Sequence, residues 1–323
     1  MGGATYMKLI RRHHPTAEQS GFTLIETILT MVITGILAGM VAVFIAGPVK
    51  GYVDTVMRGD LTDAADLALR RISREVTMAL PGSLRVTTSG GMIYVEFIAT
   101  SAGGAYLSEL DATGANHPLV FSNDGTCTAT TNCQFDVLGN MPASPGIAVG
   151  DYIVVYNQGQ DSLGNSNAPA DAYATGDPCI DCNRASVADV TGNTVTLVAN
   201  AAGANVFASR SSSSKTRPLS SPSDRFHVVP GGVQAVTFAC PTAVAGNLLR
   251  YSHYGFFTTA AAAIAAMTAT PSVIVVDNAT CAVAYTGNAS QRNGLVSVSL
   301  TLRDASGNEH VTLMREIHLD NSP

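Results

Sequence analysis

Gly21-Phe22-Thr23-Leu24-Ile25-Glu26 heads a run of apolar residues that continues to Ile45. About twenty such residues can cross the hydrocarbon core of a bilayer as a helix, because a helix satisfies its backbone polar groups internally. Glu26 is the only charged side chain in the run. An ionised carboxylate near the start of a membrane span costs kilocalories unless something pairs with it, so Glu26 marks a functional position.

Upstream, Lys8, Arg11 and Arg12, with His13 and His14, stand against Glu18 alone. Positive charge before a span holds that end in the cytoplasm. A secretory signal places its cleavage site after the apolar stretch. Here the polar break, Pro15 to Gly21, precedes it.

Downstream, Gly35 and Gly39 form a small-xxx-small pair that permits close approach of another helix. Pro48, after Gly47, is expected to bend or loosen the helix where the membrane ends. From Tyr52 to Leu80, apolar residues at three- and four-residue steps predict an amphipathic helix closed by Pro81-Gly82. On its outer face Asp54 and Arg58, Asp66 and Arg70, and Arg71 and Glu75 are each four apart, as solvated ion pairs are.

Beyond Pro81 the period becomes two. Strands are expected at 84–88, 92–98, 152–156, 186–190, 194–199, 226–229, 233–239, 248–252, 273–276, 282–285, 295–303 and 310–319. Gly90-Gly91 and Gly192-Asn193 supply hairpin turns, and 304–308 joins the last two strands. Residues 157–177 and 209–224 read as surface loops, and alanine-rich 258–270 as a short helix or cover. The fold class is α+β, with a long N-terminal helix, half transmembrane and half amphipathic, packed on an antiparallel β-rich head. Its segments are a basic leader at 1–21, a membrane helix at 22–47, an amphipathic helix at 48–80 and a head at 81–323.

The 323 residues are 46% hydrophobic and 13% charged, with a net charge of -6. No basic surplus is present to neutralise phosphates, so nucleic acid is not an expected partner. All six cysteines follow the apolar run, which suggests an oxidising compartment. Proximity and elimination select Cys127–Cys133, Cys179–Cys182 and Cys240–Cys281 from the fifteen pairings that six cysteines allow.

Catalytic chemistry is not legible. Cys179-Ile180-Asp181-Cys182 follows Gly176-Asp177-Pro178 in a loop, rather than opening a helix in a βαβ unit, and lacks nearby zinc ligands. A structural disulfide is the favoured reading. Asn165, Asn167 and Asp171 offer oxygens but no EF-hand spacing, so a solvated loop is favoured over a calcium site. No nucleophile elbow or triad emerges from the scattered histidines, and Tyr251, Tyr254, Phe256 and Phe257 read as core before sugar platform. No cofactor, metal or catalytic residue is expected.

Gly-Phe-Thr-Leu-Ile-Glu at 21–26, behind a short basic leader, resembles the type IV prepilin and type II secretion pseudopilin superfamily. The resemblance implies cleavage between Gly21 and Phe22 by prepilin peptidase in the bacterial inner membrane, N-methylation of Phe22, and a periplasmic head. Glu26 matches the family's key acid, and it would pair with an N-terminal ammonium, its own or a neighbour's, during assembly. Gly51-Tyr52-Val53-Asp54, Leu69-Arg70-Arg71, Asp224-Arg225-Phe226-His227 and the ending His318 to Pro323 are similar to MshO-type minor prepilins of the mannose-sensitive haemagglutinin (MSHA) pilus system. Residues 99–222 match poorly. The implied partners are other major and minor pilins, the peptidase, the inner-membrane assembly platform and membrane lipid. A J-type minor pseudopilin of type II secretion, a pilus-tip adhesin and a membrane-anchored periplasmic enzyme are the alternatives, the last without a catalytic cluster to support it.

Overall fold

The computed structural model describes residues 21–114, 116–121, 133–142, 145–159, 170–176, 179, 182–199, 203–208, 219–286, 293–307 and 309–320. The chain opens with helix α1 (Leu24–Thr77), followed by strands β1 (Arg85–Ser89) and β2 (Met92–Ile98). Six more strands come next: β3 (Ala102–Tyr106), β4 (Gln134–Leu138), β5 (Tyr152–Val154), β6 (Arg184–Thr191), β7 (Thr194–Leu197) and β8 (Arg225–Val229). Then come β9 (Ala235–Pro241), β10 (Gly246–Ser252), helix α2 (Ala260–Met267), β11 (Ser272–Thr286), β12 (Asn293–Arg303) and β13 (His310–Asp320). The architecture is α+β, a long apolar N-terminal helix with antiparallel sheets.

The chain divides into two compact units at Val56. In the first, residues 21–53 are all exposed, and α1 is long and apolar enough there to cross a membrane. Pro48 lies inside the helix, which continues on both sides of it. One proline removes a single backbone donor, and the turns on either side keep theirs.

In the second unit, α1 buries Ala65, Ala68, Leu69, Ile72 and Val76, the stripe that its three- and four-residue spacing predicts. The stripe packs on a seven-stranded sheet of order β1-β2-β9-β10-β11-β12-β13, antiparallel throughout. Inward residues alternate along β12 as Val296, Val298, Leu300 and Leu302. Full burial of each such side chain contributes about 1.5–3 kcal/mol. Cys240 and Cys281, 5.8 Å apart at Cα, bridge β9 and β11 inside this core. Gly90 and Gly91, both at positive φ, turn β1 into β2.

Between β2 and β9, which are sheet neighbours, the chain makes an excursion through a closed barrel, β3-β4-β7-β6-β5-β8. This barrel was not foreseen, and neither were β3 and β4. Gly103 and Gly104 lower the strand propensity of β3, yet a Cβ on Gly104 would sit 2.8 Å from the Phe226 ring that fills the barrel. Cys179 and Cys182 are joined and buried in the same core. Cys127, the expected partner of Cys133, lies outside the described residues.

Other expectations need correction. The two strands expected at 273–276 and 282–285 are one, β11, running through Asn278 at positive φ with register shifts against β10. The 157–177 stretch is not simply a surface loop. Asn157, Asp171, Ala172 and Tyr173 are buried, while Asn165 and Asn167 lie outside the described residues. Asn157 Oδ1 accepts from Ala172 N at 2.9 Å and its Nδ2 donates to Pro81 O at 2.8 Å, so the polar groups carry their own bonds inward. Ser221, at the described end of the 209–224 stretch, is also buried.

Sheet and barrel share a third core containing Leu80, Ile98, Tyr152, Val229, Tyr254 and Phe256. The aromatic pair Tyr254 and Phe256 therefore belongs to packing. Two arginines flank it: the Arg184 guanidinium lies 3.8 Å from the Phe256 ring centre, and that of Arg85 3.9 Å from the Tyr173 ring centre. Helix α2 covers this core with Ala263 and Met267, capped by Thr259, whose hydroxyl accepts from Ala262 N at 3.3 Å.

Candidate functional site

The first helical turn is set by Thr23. Its Oγ1 accepts from Glu26 N at 3.3 Å, and its carbonyl accepts from Thr27 N at 3.1 Å. Thr23-Leu24-Ile25-Glu26 is thus the Thr-x-x-Glu sequence of a capping box, with the hydroxyl half formed. Gly21 and Phe22 lie just before the helix and are exposed, Phe22 at 78%. Their peptide bond is therefore not shielded by helical hydrogen bonding.

The helix then disposes of its own hydroxyls. Thr27 Oγ1 donates to Thr23 O at 3.2 Å, Thr30 Oγ1 to Thr27 O at 2.9 Å, and Thr34 Oγ1 to Thr30 O. The three- and four-residue spacing of the threonines, visible in the sequence, makes this possible. Glu26 is left as the polar side chain of the apolar run with no hydrogen-bond or ion-pair partner among the described residues. As a first-turn acid it faces the positive end of the helix dipole, which stabilises a carboxylate there without neutralising it.

Gly35 and Gly39 lie one turn apart on this helix, with nothing within 4 Å of where a Cβ would stand. Both are open to an approaching helix. Pro48 lies one residue beyond Gly47 in the same unbroken helix.

The head offers no competing centre among its described residues. No three His, Cys, Asp or Glu side chains there are grouped to hold a metal ion. The perturbed groups are structural ones. Burial pushes the Tyr106 hydroxyl up to about 12 while that oxygen accepts from Ser221 N at 3.0 Å. Burial, then the nearby Glu96 carboxylate, raises Tyr254 and Tyr173 well above the ordinary phenol range. Burial, then Arg225, lowers His227.

Residues 17–42 match the family described as the prokaryotic N-terminal methylation motif. No curated protein and no solved structure matches the chain. The matched segment contains Gly21, Phe22, Glu26, Gly35 and Gly39. The motif is that of prepilins, and it implies processing by prepilin peptidase, residence in the inner membrane, and assembly with pilins. Over residues 17–42 the chain is similar to type IV prepilins.

Proposed function

We propose that this chain is a minor pilin of an MSHA-like type IV pilus, of the MshO kind, which helps to initiate or cap the fibre. Prepilin peptidase cleaves between Gly21 and Phe22 and methylates the new amine of Phe22, which leaves the 22–47 segment in the inner membrane. The leader stays cytoplasmic and the head periplasmic until the assembly platform extracts the subunit. The observation that carries this reading is Glu26, a carboxylate without a partner in a span whose hydroxyls are all satisfied internally. Four residues from a new N-terminus, it pairs with an ammonium, and neither charge is stable alone in lipid.

The minor role is supported by bulk. A shaft subunit packs many times in a repeating lattice, whereas this head carries a whole barrel inserted between two neighbouring strands. Such an addition is best tolerated at an end of the fibre. Immunogold labelling of fibres tests it: label confined to fibre ends is expected, and even label along the shaft overturns the minor role. A J-type pseudopilin of type II secretion shares the same N-terminal chemistry, and gene neighbours separate the two systems.

A further inference from the structure

Strand β8 carries Arg225 and His227 two residues apart, on one side of the strand. Phe226 between them fills the barrel, so these two side chains lie outside it. On β3 they face Ala105 and Gly103, which are too small to cover them. Neither has a side-chain hydrogen bond or an ion pair among the described residues. The half-buried imidazole is held toward its neutral form, by burial first and then by the neighbouring guanidinium. Two bases thus stand side by side with no carboxylate between them.

Both line a groove of about 340 Å3 at the C-terminal end of α1. That end and the connection from β2 to β3 supply hydroxyls whose protons are already used. Thr77 Oγ1 donates to Ser73 O and Thr100 Oγ1 to Met78 O, each at 2.7 Å. Toward the groove these oxygens can only accept. Asp320, at the end of β13, adds a further acceptor, without an ion pair to Arg225 among the described residues. Met78, 45% exposed, and Pro81 make part of the lining apolar.

The groove therefore offers donors from one strand and acceptors from the segments around it. An inorganic oxyanion answers the donors alone. An extended peptide with an acidic side chain answers both, with its carboxylate on Arg225 and His227 and its amide N–H groups on the threonine oxygens. Guanidinium side chains are the means by which acidic motifs are read, whereas a chain-terminal carboxylate is captured by backbone amides.

We propose that this groove binds an extended segment of a partner protein in which an acidic side chain is flanked by apolar ones. Arg225 takes the carboxylate with its planar fork, and His227 adds one N–H beside it. The apolar flanks rest on Met78 and Pro81. The contact uses neither the membrane span nor Glu26, so it is independent of the assembly chemistry proposed above.

The test uses the full processed chain in detergent and a fluorescent peptide containing Leu-Asp-Leu, capped at both ends, with binding read by anisotropy. Saturable binding is expected, and at least about tenfold weaker binding when the peptide carries Asn in place of Asp. Arg225→Ala should weaken binding several-fold and Arg225→Glu abolish it, while Arg303→Glu, at an exposed base on β12, leaves it unchanged. His227→Gln, which keeps a donor, should bind more tightly than His227→Ala. The Asn peptide keeps the test independent of how any variant folds. No binding at millimolar peptide, equal binding of the Asn peptide, or full binding by Arg225→Glu overturns the site. Tighter binding of an uncapped Leu-Leu peptide through its free carboxylate, or displacement of the Asp peptide by an equal concentration of inorganic phosphate, also overturns it, in favour of a chain terminus or a simple anion.

Discussion

Arg85 and Glu96 face each other directly across β1 and β2, with Nε donating to Oε2 at 2.6 Å, and their side chains are only 12% and 5% exposed. The same guanidinium donates to the Phe257 and Thr258 carbonyls at 2.9 and 3.1 Å, and Tyr254 donates to Glu96 Oε1 at 3.0 Å. Removing one member leaves the other charged and buried. Glu96→Ala should destabilise the head by about 3–5 kcal/mol, with Glu96→Gln costing less because it keeps the acceptor for Tyr254. Thermal unfolding of the detergent-solubilised chain measures both. An unchanged Tm for Glu96→Ala would refute this role.

The Cys240–Cys281 bridge joins β9 to β11 across the position of β10, within the core under α1. Its loss should lower stability by about 2–4 kcal/mol. Cys240→Ala with Cys281→Ala, followed by denaturant unfolding, is the check. The double variant should unfold at clearly lower denaturant than wild type.

Gly231 approaches the backbone of Gly150 so closely that any Cβ would overlap the Gly150 carbonyl. Backbone cannot swing aside as a side chain does. Gly231→Ala should cost about 1–3 kcal/mol, as overpacking in a filled core does. Gly232→Ala, where nothing lies within 4 Å, serves as the control and should be nearly neutral.

Asp304 closes the β12–β13 turn. The Ser306 hydroxyl, and then the Glu309 and Ser306 amides, hold its carboxyl below the ordinary value of 3.8. A depressed folded value means stabilisation that is present above the unfolded pKa and lost as pH falls through the folded one. The Tm gap between wild type and Asp304→Asn should therefore be full at pH 6 and close as the solution is acidified below pH 4. A gap that stays constant through that range would contradict the assignment.

How much could be read in advance varied with the kind of signal. Gly21 to Glu26, the buried stripe from Ala65 to Val76, and the alternation of β12 follow from local period and charge, and these stretches place the helix on its sheet. The excursion between Ile98 and Ala235 did not follow, because adjacency of β2 and β9 is a long-range pairing with no local trace. Its first strand carries two glycines whose value is the room they leave for Phe226, which only the partner strand reveals. That excursion largely coincides with the 99–222 stretch where the family resemblance fades. At the candidate site Glu26 stood out by charge alone. Thr23, Thr27, Thr30 and Thr34 were overlooked because hydroxyls are common in membrane helices, and their bonds give Glu26 its isolation.

Pairing of the Glu26 carboxylate with an ammonium at a processed N-terminus is the step on which the proposed assembly rests. Its most direct measurement is Glu26→Ala, scored separately for processing, by the N-terminal mass of the mature chain, and for co-purification with partner pilins from membranes. Normal loss of residues 1–21 and normal membrane insertion are expected, but co-assembly reduced at least about tenfold, since breaking a buried ion pair costs about 3–5 kcal/mol. Gly21→Ala should instead leave the leader attached. Undiminished co-assembly of processed Glu26→Ala would contradict the charge pair.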